Sequence, residues 1–243
     1  VLDHDAWHRT VQNRVTGTGE PLLDRSRAYG SAGALHGVEV FRDARALTPR
    51  ISLHEMTHQW GHGFDWEKLA GLVREWPDTA HAPVVFPGHS IIGAKLHPVW
   101  QVSRTDAGEY VLARTPAPIE QGPLELYAMG LLAVEDLPEF HVFLDQEQFA
   151  EGRTPLEAGA RLDGPVRRMT SSDLLGLYGR REGPRPTTWR RALVVVSRDG
   201  LLSQREMDYW NYHSARLEDP NRQSPRSYEG YVSLDRATRG QVD

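Results

Sequence analysis

Two histidines four residues apart with a glutamate between them, in His54-Glu55-Met56-Thr57-His58, constrain this chain more than any other stretch. In a helix the two imidazoles project from one face about a turn apart, and both nitrogens reach one Zn²⁺ at about 2.0–2.1 Å. The glutamate is rotated off that pair, where its carboxylate polarises a water held by the ion. The flanking residues specify the helix. Thr48 is a suitable N-cap, and Pro49 suits the first helical position, where its missing N–H costs nothing. Ile51, Leu53, Met56 and Trp60 supply apolar positions along three turns, and Gly61 is placed to end them. Upstream, Gly37-Val38-Glu39-Val40-Phe41 alternates in the manner of a strand. The expected order is therefore a strand over 37–41 and a helix over about 49–60, an arrangement suited to a zinc hydrolase.

The chain has 243 residues, enough for one large domain with a buried core, and its 39% hydrophobic and 25% charged content is ordinary for a globular protein. A net charge of -5 without a basic block argues against nucleic acid as the main partner. No apolar run approaches the roughly 18 residues of a membrane span, so no membrane-spanning helix is expected. Cysteine is absent, which excludes disulfides, thiolate ligands and a cysteine nucleophile together. Histidine, aspartate and glutamate are left as the strong ligands for a transition metal.

Residues 1–35 are polar and glycine-bearing, without a clear period. After the 49–60 helix, Asp65 is placed to cap a second helix whose Leu69, Leu72, Val73 and Trp76 recur at helical spacing before Pro77. Residues 77–98 are rich in Pro, Gly and His and read as irregular. Gln101–Val102 and Glu109–Leu112 form a hairpin across Asp106-Ala107-Gly108. Gly122-Pro123 opens an apolar helix through Met129, closed or interrupted by Gly130. Residues 151–187 are loop-rich with one short helix near 171–178. Ala192-Leu193-Val194-Val195-Val196 reads as a buried strand, and Ser203 with Glu206 is a capping box for a last helix to about Leu217. The polar tail from Pro220 is expected to hug the surface or fray. The pattern is α+β: a small mixed sheet, the His-bearing helix and a loop-rich, partly helical C-terminal part. It is expected as a single domain over 1–243, with sub-lobes of about 1–120 and 121–243.

A catalytic zinc takes three protein ligands and keeps one position for water. His54 and His58 supply two. Glu125, in the first turn of an apolar helix, needs a partner if buried, and a metal is one; alternatively it complements the helix N-terminus on an exposed face. His62 sits in a glycine-flanked turn, and Asp65 is accounted for as a cap. His81, His89 and His97 lie in the irregular segment. On the residues alone the third ligand stays open. So does an oxyanion donor, for which Tyr127, Tyr209, Tyr212 and His213 are the candidates and core packing the commoner role.

The run from His54 to Gly61 resembles the active-site helix of the zincin metallopeptidases. That resemblance implies Zn²⁺ on His54 and His58, Glu55 as general base, and a peptide or protein substrate. Gly61 is similar to the glycine of the metzincin branch, but Phe64 stands where that branch has its third histidine; Met129 is the residue that would imitate its methionine beneath the metal. The gluzincins instead draw a glutamate from a later helix, and the aspzincins an aspartate. Glu125-Leu126-Tyr127-Ala128-Met129-Gly130-Leu131 is similar to such a helix, and with Trp60 it resembles a group of little-characterised bacterial HExxH proteins. Those proteins carry an Ala-His-Trp step, matched by Ala80-His81 with Ala82 in place of Trp. The resemblance covers roughly residues 37–140. It implies a zincin-like fold, Glu125 as third ligand with His81 or His62 in reserve, and a secreted or periplasmic location. Three other expectations stand beside the peptidase: a non-proteolytic zinc hydrolase, a catalytically silent metal-holding binding domain, and a structural zinc domain.

Overall fold

The computed structural model describes residues 6–43, 47, 49–61, 64–71, 100–114, 121–145, 148, 152–155, 157–198, 200–218 and 234–242. The first strand, β1 (Ala6–Thr10), pairs antiparallel with β4 (Gly37–Phe41) so that Trp7 opposes Val40 and Arg9 opposes Val38. Between them, β2 (Gln12–Asn13) pairs with β3 (Leu23–Asp24). Helix α1 (Pro49–Gly61) follows and packs on both β1 and β4. Strand 37–41 and helix 49–60 thus form as their sequence patterns predict. Strand β1 carries no such pattern, because four of its five residues are half-buried and no clean in–out alternation is written into it.

A Cβ at Gly37 would press on the His8 ring and Gln59 Oε1, so a side chain there would disturb the His8–Gln59 contact that joins β1 to α1. Helix α2 (Trp66–Ala70) begins after Asp65, whose Oδ1 accepts the Lys68 N–H at 3.1 Å, the capping role expected of it. The helix ends at Ala70, with Gly71 at a left-handed φ of 72°, so it does not run unbroken towards Trp76 as expected; Leu72, Val73, Trp76 and the irregular 77–98 segment lie outside the described residues.

The expected hairpin is β5 (Trp100–Arg104) with β6 (Tyr110–Arg114). Helix α3 (Pro123–Met129) follows and stops at Gly130, whose φ of 82° is the left-handed closure that favours glycine. Strand β7 (Phe140–Phe143) pairs antiparallel with β8 (Val166–Met169), and α4 (Ser171–Tyr178) is capped by the Thr170–Asp173 pair. Helix α5 (Gln204–Glu218) starts at the Ser203–Glu206 capping box, where Glu206 Oε2 accepts the Ser203 N–H at 2.8 Å. A short helix, α6 (Leu234–Ala237), precedes the last described residues.

The chain is a mixture of helices and small antiparallel sheets. The expected mixed sheet is replaced, among the described residues, by four two-stranded antiparallel pairs. The main core gathers Leu53, Met56 and Trp60 of α1, Leu69 of α2, Leu126 and Met129 of α3, and Met169 beside α4. A smaller core under the hairpin holds Val102, Leu112, Phe143 and Leu162.

Two expectations are corrected. Residues 192–196 are not a buried strand: they pair with no other described strand, and Val194 is 79% and Val196 91% exposed. An apolar β-branched run satisfies a strand pattern wherever it lies, and burial requires a neighbouring strand that this run lacks. The tail is not merely superficial either. Val242 is buried in the main core, and its N–H donates to Thr238 Oγ1 at 3.1 Å. A single valine among polar neighbours leaves no periodic trace in sequence.

Met129 is fully buried in the main core. Met129→Ala is expected to cost about 2–5 kcal/mol in urea unfolding. A loss below about 0.5 kcal/mol, the size of an ordinary surface change, would contradict its core placement.

Candidate metal centre

Helix α1 is buried on nearly every side, and Ser52, Glu55, Thr57, His58 and Gln59 are buried with its apolar residues. Burying a polar group without a partner costs roughly 1–3 kcal/mol. Most of these side chains are matched. Thr57 Oγ1 donates to Leu53 O at 2.6 Å and accepts from Gln121 Nε2 at 2.7 Å, tying α1 to the start of α3. Gln59 Nε2 donates to Gln12 O at 2.8 Å while its Oε1 lies 3.2 Å from His8 Nε2, tying α1 to the β1 region. Ser52 is held by the Arg191 guanidinium.

His54 and His58 face one another as their spacing requires. Their Nε2 atoms lie 3.1 Å apart and their rings stand nearly perpendicular, at 89°. Two nitrogens on one tetrahedral ion at about 2.0–2.1 Å stand about 3.3–3.4 Å from each other, so little adjustment separates this pair from a bidentate clamp. The Glu55 carboxylate completes the group: one ligand atom from each of His54, Glu55 and His58 lies within 4.8 Å of the others. The group can hold a metal ion. Its donors are nitrogen and oxygen, the set suited to a first-row dication in a chain without sulfur ligands from cysteine. His58 is buried and His54 only half-buried, so the pair is open on the His54 side.

Glu55 stands apart from the other buried polar residues of α1. It is 6% exposed, and its carboxylate accepts no hydrogen bond from any described residue. Burial is the main force on it, with the Glu39 carboxylate adding to the effect, and together they push its pKa up to about 7. Glu39, projecting from β4, is itself raised by burial, which Arg191 and Ser52 oppose. Arg191 Nη2 lies 3.7 Å from Glu39 Oε2 and 3.3 Å from Met56 Sδ, and donates to Ser52 O at 3.2 Å. Ser52, Glu55 and Met56 share one face of α1 at helical spacing, so Arg191 lies along the side of the helix that carries Glu55.

The remaining candidates are placed as follows. Glu125 is buried, and its Oε2 accepts the Gly122 N–H at 2.7 Å, complementing the start of α3 from an interior position and not from an exposed face. It falls outside the three-residue His/Glu/His group. His62, His81, His89 and His97 lie outside the described residues. Tyr127 is buried, its hydroxyl donating to Gly17 O at 3.4 Å and accepting the Arg181 N–H at 3.2 Å, which is a core role. Tyr209, Tyr212 and His213 form an aromatic group on α5 outside the His/Glu/His group. Glu39, Ser52 and Arg191 were not legible as site residues. Arg191 is 137 positions from His54, and the second of two arginines before an apolar run carries no signal of what it contacts.

No protein-family model, curated protein or solved structure matches the chain. The geometry above therefore carries the functional argument by itself. No helix among the described residues is long and apolar enough to cross a membrane.

The raised Glu55 pKa fixes a pH dependence for the metal-free protein. Between the ordinary glutamate value of 4.5 and about 7, the unfolded chain gives up this proton before the folded one does. Stability therefore falls as pH rises through that window, and the penalty is complete above it and absent below it. Glu55→Gln is expected to melt higher than wild type at pH 8, with the difference closing towards pH 4.5. A difference independent of pH in thermal melts would contradict the assignment.

Proposed function

We infer that this chain is a zinc-dependent peptidase with a zincin-like catalytic helix. The observation that carries the reading is Glu55: a buried carboxylate without a hydrogen-bond donor, held within ligand range of two facing imidazoles and tuned to about 7. A structural carboxylate at this depth is normally paired or hydrogen-bonded. One left unmatched, with a pKa near the working pH, suits a group whose partner arrives with the reaction.

His54 and His58 hold the ion, and the half-buried side of His54 admits the substrate. Zinc bound there supplies a Lewis acid and lowers the pKa of its water towards about 7. Glu55 takes the proton from the water that attacks the peptide carbonyl and delivers it to the leaving amine. Burial serves both transfers, because a carboxyl group that holds its proton near neutrality can also return it. For the third ligand we favour Glu125, supported by its burial and by the Gln121–Thr57 hydrogen bond that packs α3 against α1 beside His58. His81 and His62 are the reserve ligands.

Purified protein loaded with zinc is expected to cleave fluorescein-labelled casein. Glu55→Gln should retain its zinc and lose turnover by several orders of magnitude, the pattern of a group acting only in the transition state. Casein cleavage by Glu55→Gln at the wild-type rate would refute the base, and zinc-loaded wild type that cleaves nothing would favour a metal-holding domain without turnover. Glu125→Ala should lose most of its zinc; full occupancy in that variant would transfer the third position to His81 or His62.

A further inference from the structure

The peptidase reading gives no role to Glu39 and Arg191, two opposite charges set against the helix that carries the histidines. Glu39 stands directly opposite His8 in the β1–β4 pair, so both side chains lie on one face of the ladder. That face is turned to α1, because the His8 ring meets Gln59 and Glu39 Oε2 lies 3.5 Å from Ser52 Oγ. Arg191 arrives from far along the chain. Trp189 packs on Trp60 with ring centroids 5.0 Å apart, and Arg191 donates to Ser52 O at 3.2 Å, so residues 189–191 cross α1. The crossing leaves Arg191 Nη2 3.7 Å from Glu39 Oε2, with the two side chains only 27% and 15% exposed.

This pair is coupled to the centre through Glu55. The Glu39 charge acts on the Glu55 carboxylate through space, and Arg191 opposes burial in holding that charge on Glu39. Ser52, which touches both members of the pair, lies one turn before Glu55 on α1. Charges this far from water are screened by salt much less than surface charges, and a dication feels them twice as strongly as a single charge does.

We propose that the Glu39–Arg191 pair sets the affinity of the His54–His58 centre for its cation, Glu39 attracting the ion and Arg191 holding that attraction in check; this rests on the zinc reading of the two histidines. With both charges in place their effects on the centre largely cancel. Loss of Glu39 leaves a guanidinium facing a dication with nothing to offset it. Loss of Arg191 leaves a carboxylate, which attracts the ion. A pair that merely braced α1 would behave otherwise, since breaking it from either side would loosen the helix and weaken the ion in the same direction.

The sign of the change is therefore what the test reads. The affinity of the full chain for Zn²⁺ is measured at pH 8 by competition with a chromogenic chelator, and thermal melts of the metal-free forms check that each variant folds. Glu39→Gln is expected to bind zinc about fivefold or more weakly than wild type. Arg191→Gln should bind it as tightly as wild type or more tightly. Arg191→Lys, which keeps the charge, should stay within about twofold of wild type, and the double variant Glu39→Gln/Arg191→Gln should recover most of what Glu39→Gln loses. Equal weakening by the two Gln variants, unchanged affinity in Glu39→Gln, or a double variant weaker than Glu39→Gln overturns the proposal and leaves the metal centre standing. If Glu39→Gln fails to fold, the Arg191 variants decide alone: weaker zinc binding by Arg191→Gln overturns the proposal. A wild type that binds no zinc overturns it together with the zinc reading. The expected signs with no casein cleavage by any form would keep the proposal and retire the peptidase.

Discussion

Everything in this molecule is arranged around the burial of a polar helix. Helix α1 carries serine, glutamate, threonine, histidine and glutamine into the interior, and burial is tolerable only where each finds a counterpart. The counterparts come from distant parts of the chain: Gln121 ahead of α3 for Thr57, Gln12 and His8 from the first strands for Gln59, and Arg191 for Ser52. These contacts draw β1, α3 and the 189–191 crossing onto one helix. Glycine at 37 leaves room for the His8 ring and the Gln59 amide that meet above it. In this packing the Glu55 carboxylate has no hydrogen-bond donor among the described residues, and the buried Gln121 Oε1 also lacks a partner among them.

That imbalance is what makes α1 more than a core element. Two imidazole nitrogens 3.1 Å apart form a clamp for a cation, and a buried carboxylate beside them is costly unless a proton or a cation compensates it. Glu39, a half-buried carboxylate, raises the cost, and Arg191 relieves Glu39 through its 3.7 Å approach. The local field therefore favours either a proton on Glu55 or a metal at the histidine pair.

Much of this was legible in the sequence, for reasons that can be named. The Pro49 start, the apolar positions at 53, 56 and 60, and the i, i+4 histidines are all local, so helix α1 and the facing imidazoles were readable. The hairpin around Asp106-Ala107-Gly108, the Gly130 closure and the Ser203–Glu206 box were readable too, since turns and caps are decided by a few adjacent residues. What failed was long-range. Residues 192–196 have the composition of a buried strand, and composition does not say whether a partner strand exists. The docking of Val242, the pairing of β1 with β4 and the reach of Arg191 to Ser52 depend on contacts that span 27 to 139 positions, or on one residue without period. Glu125 was legible as a buried acidic residue at a helix start, and its oxygen at Gly122 N–H explains why that position is acidic whether or not it also meets a metal.

Zinc stoichiometry reads directly on His54 and His58 as a metal clamp. Purified, chelator-treated protein is reconstituted with zinc, freed of excess by gel filtration and measured by elemental mass spectrometry beside His54→Ala and His58→Ala. About one zinc per wild-type chain and little in either variant is expected. A wild-type protein that retains no zinc, or variants that retain as much as wild type, would contradict it.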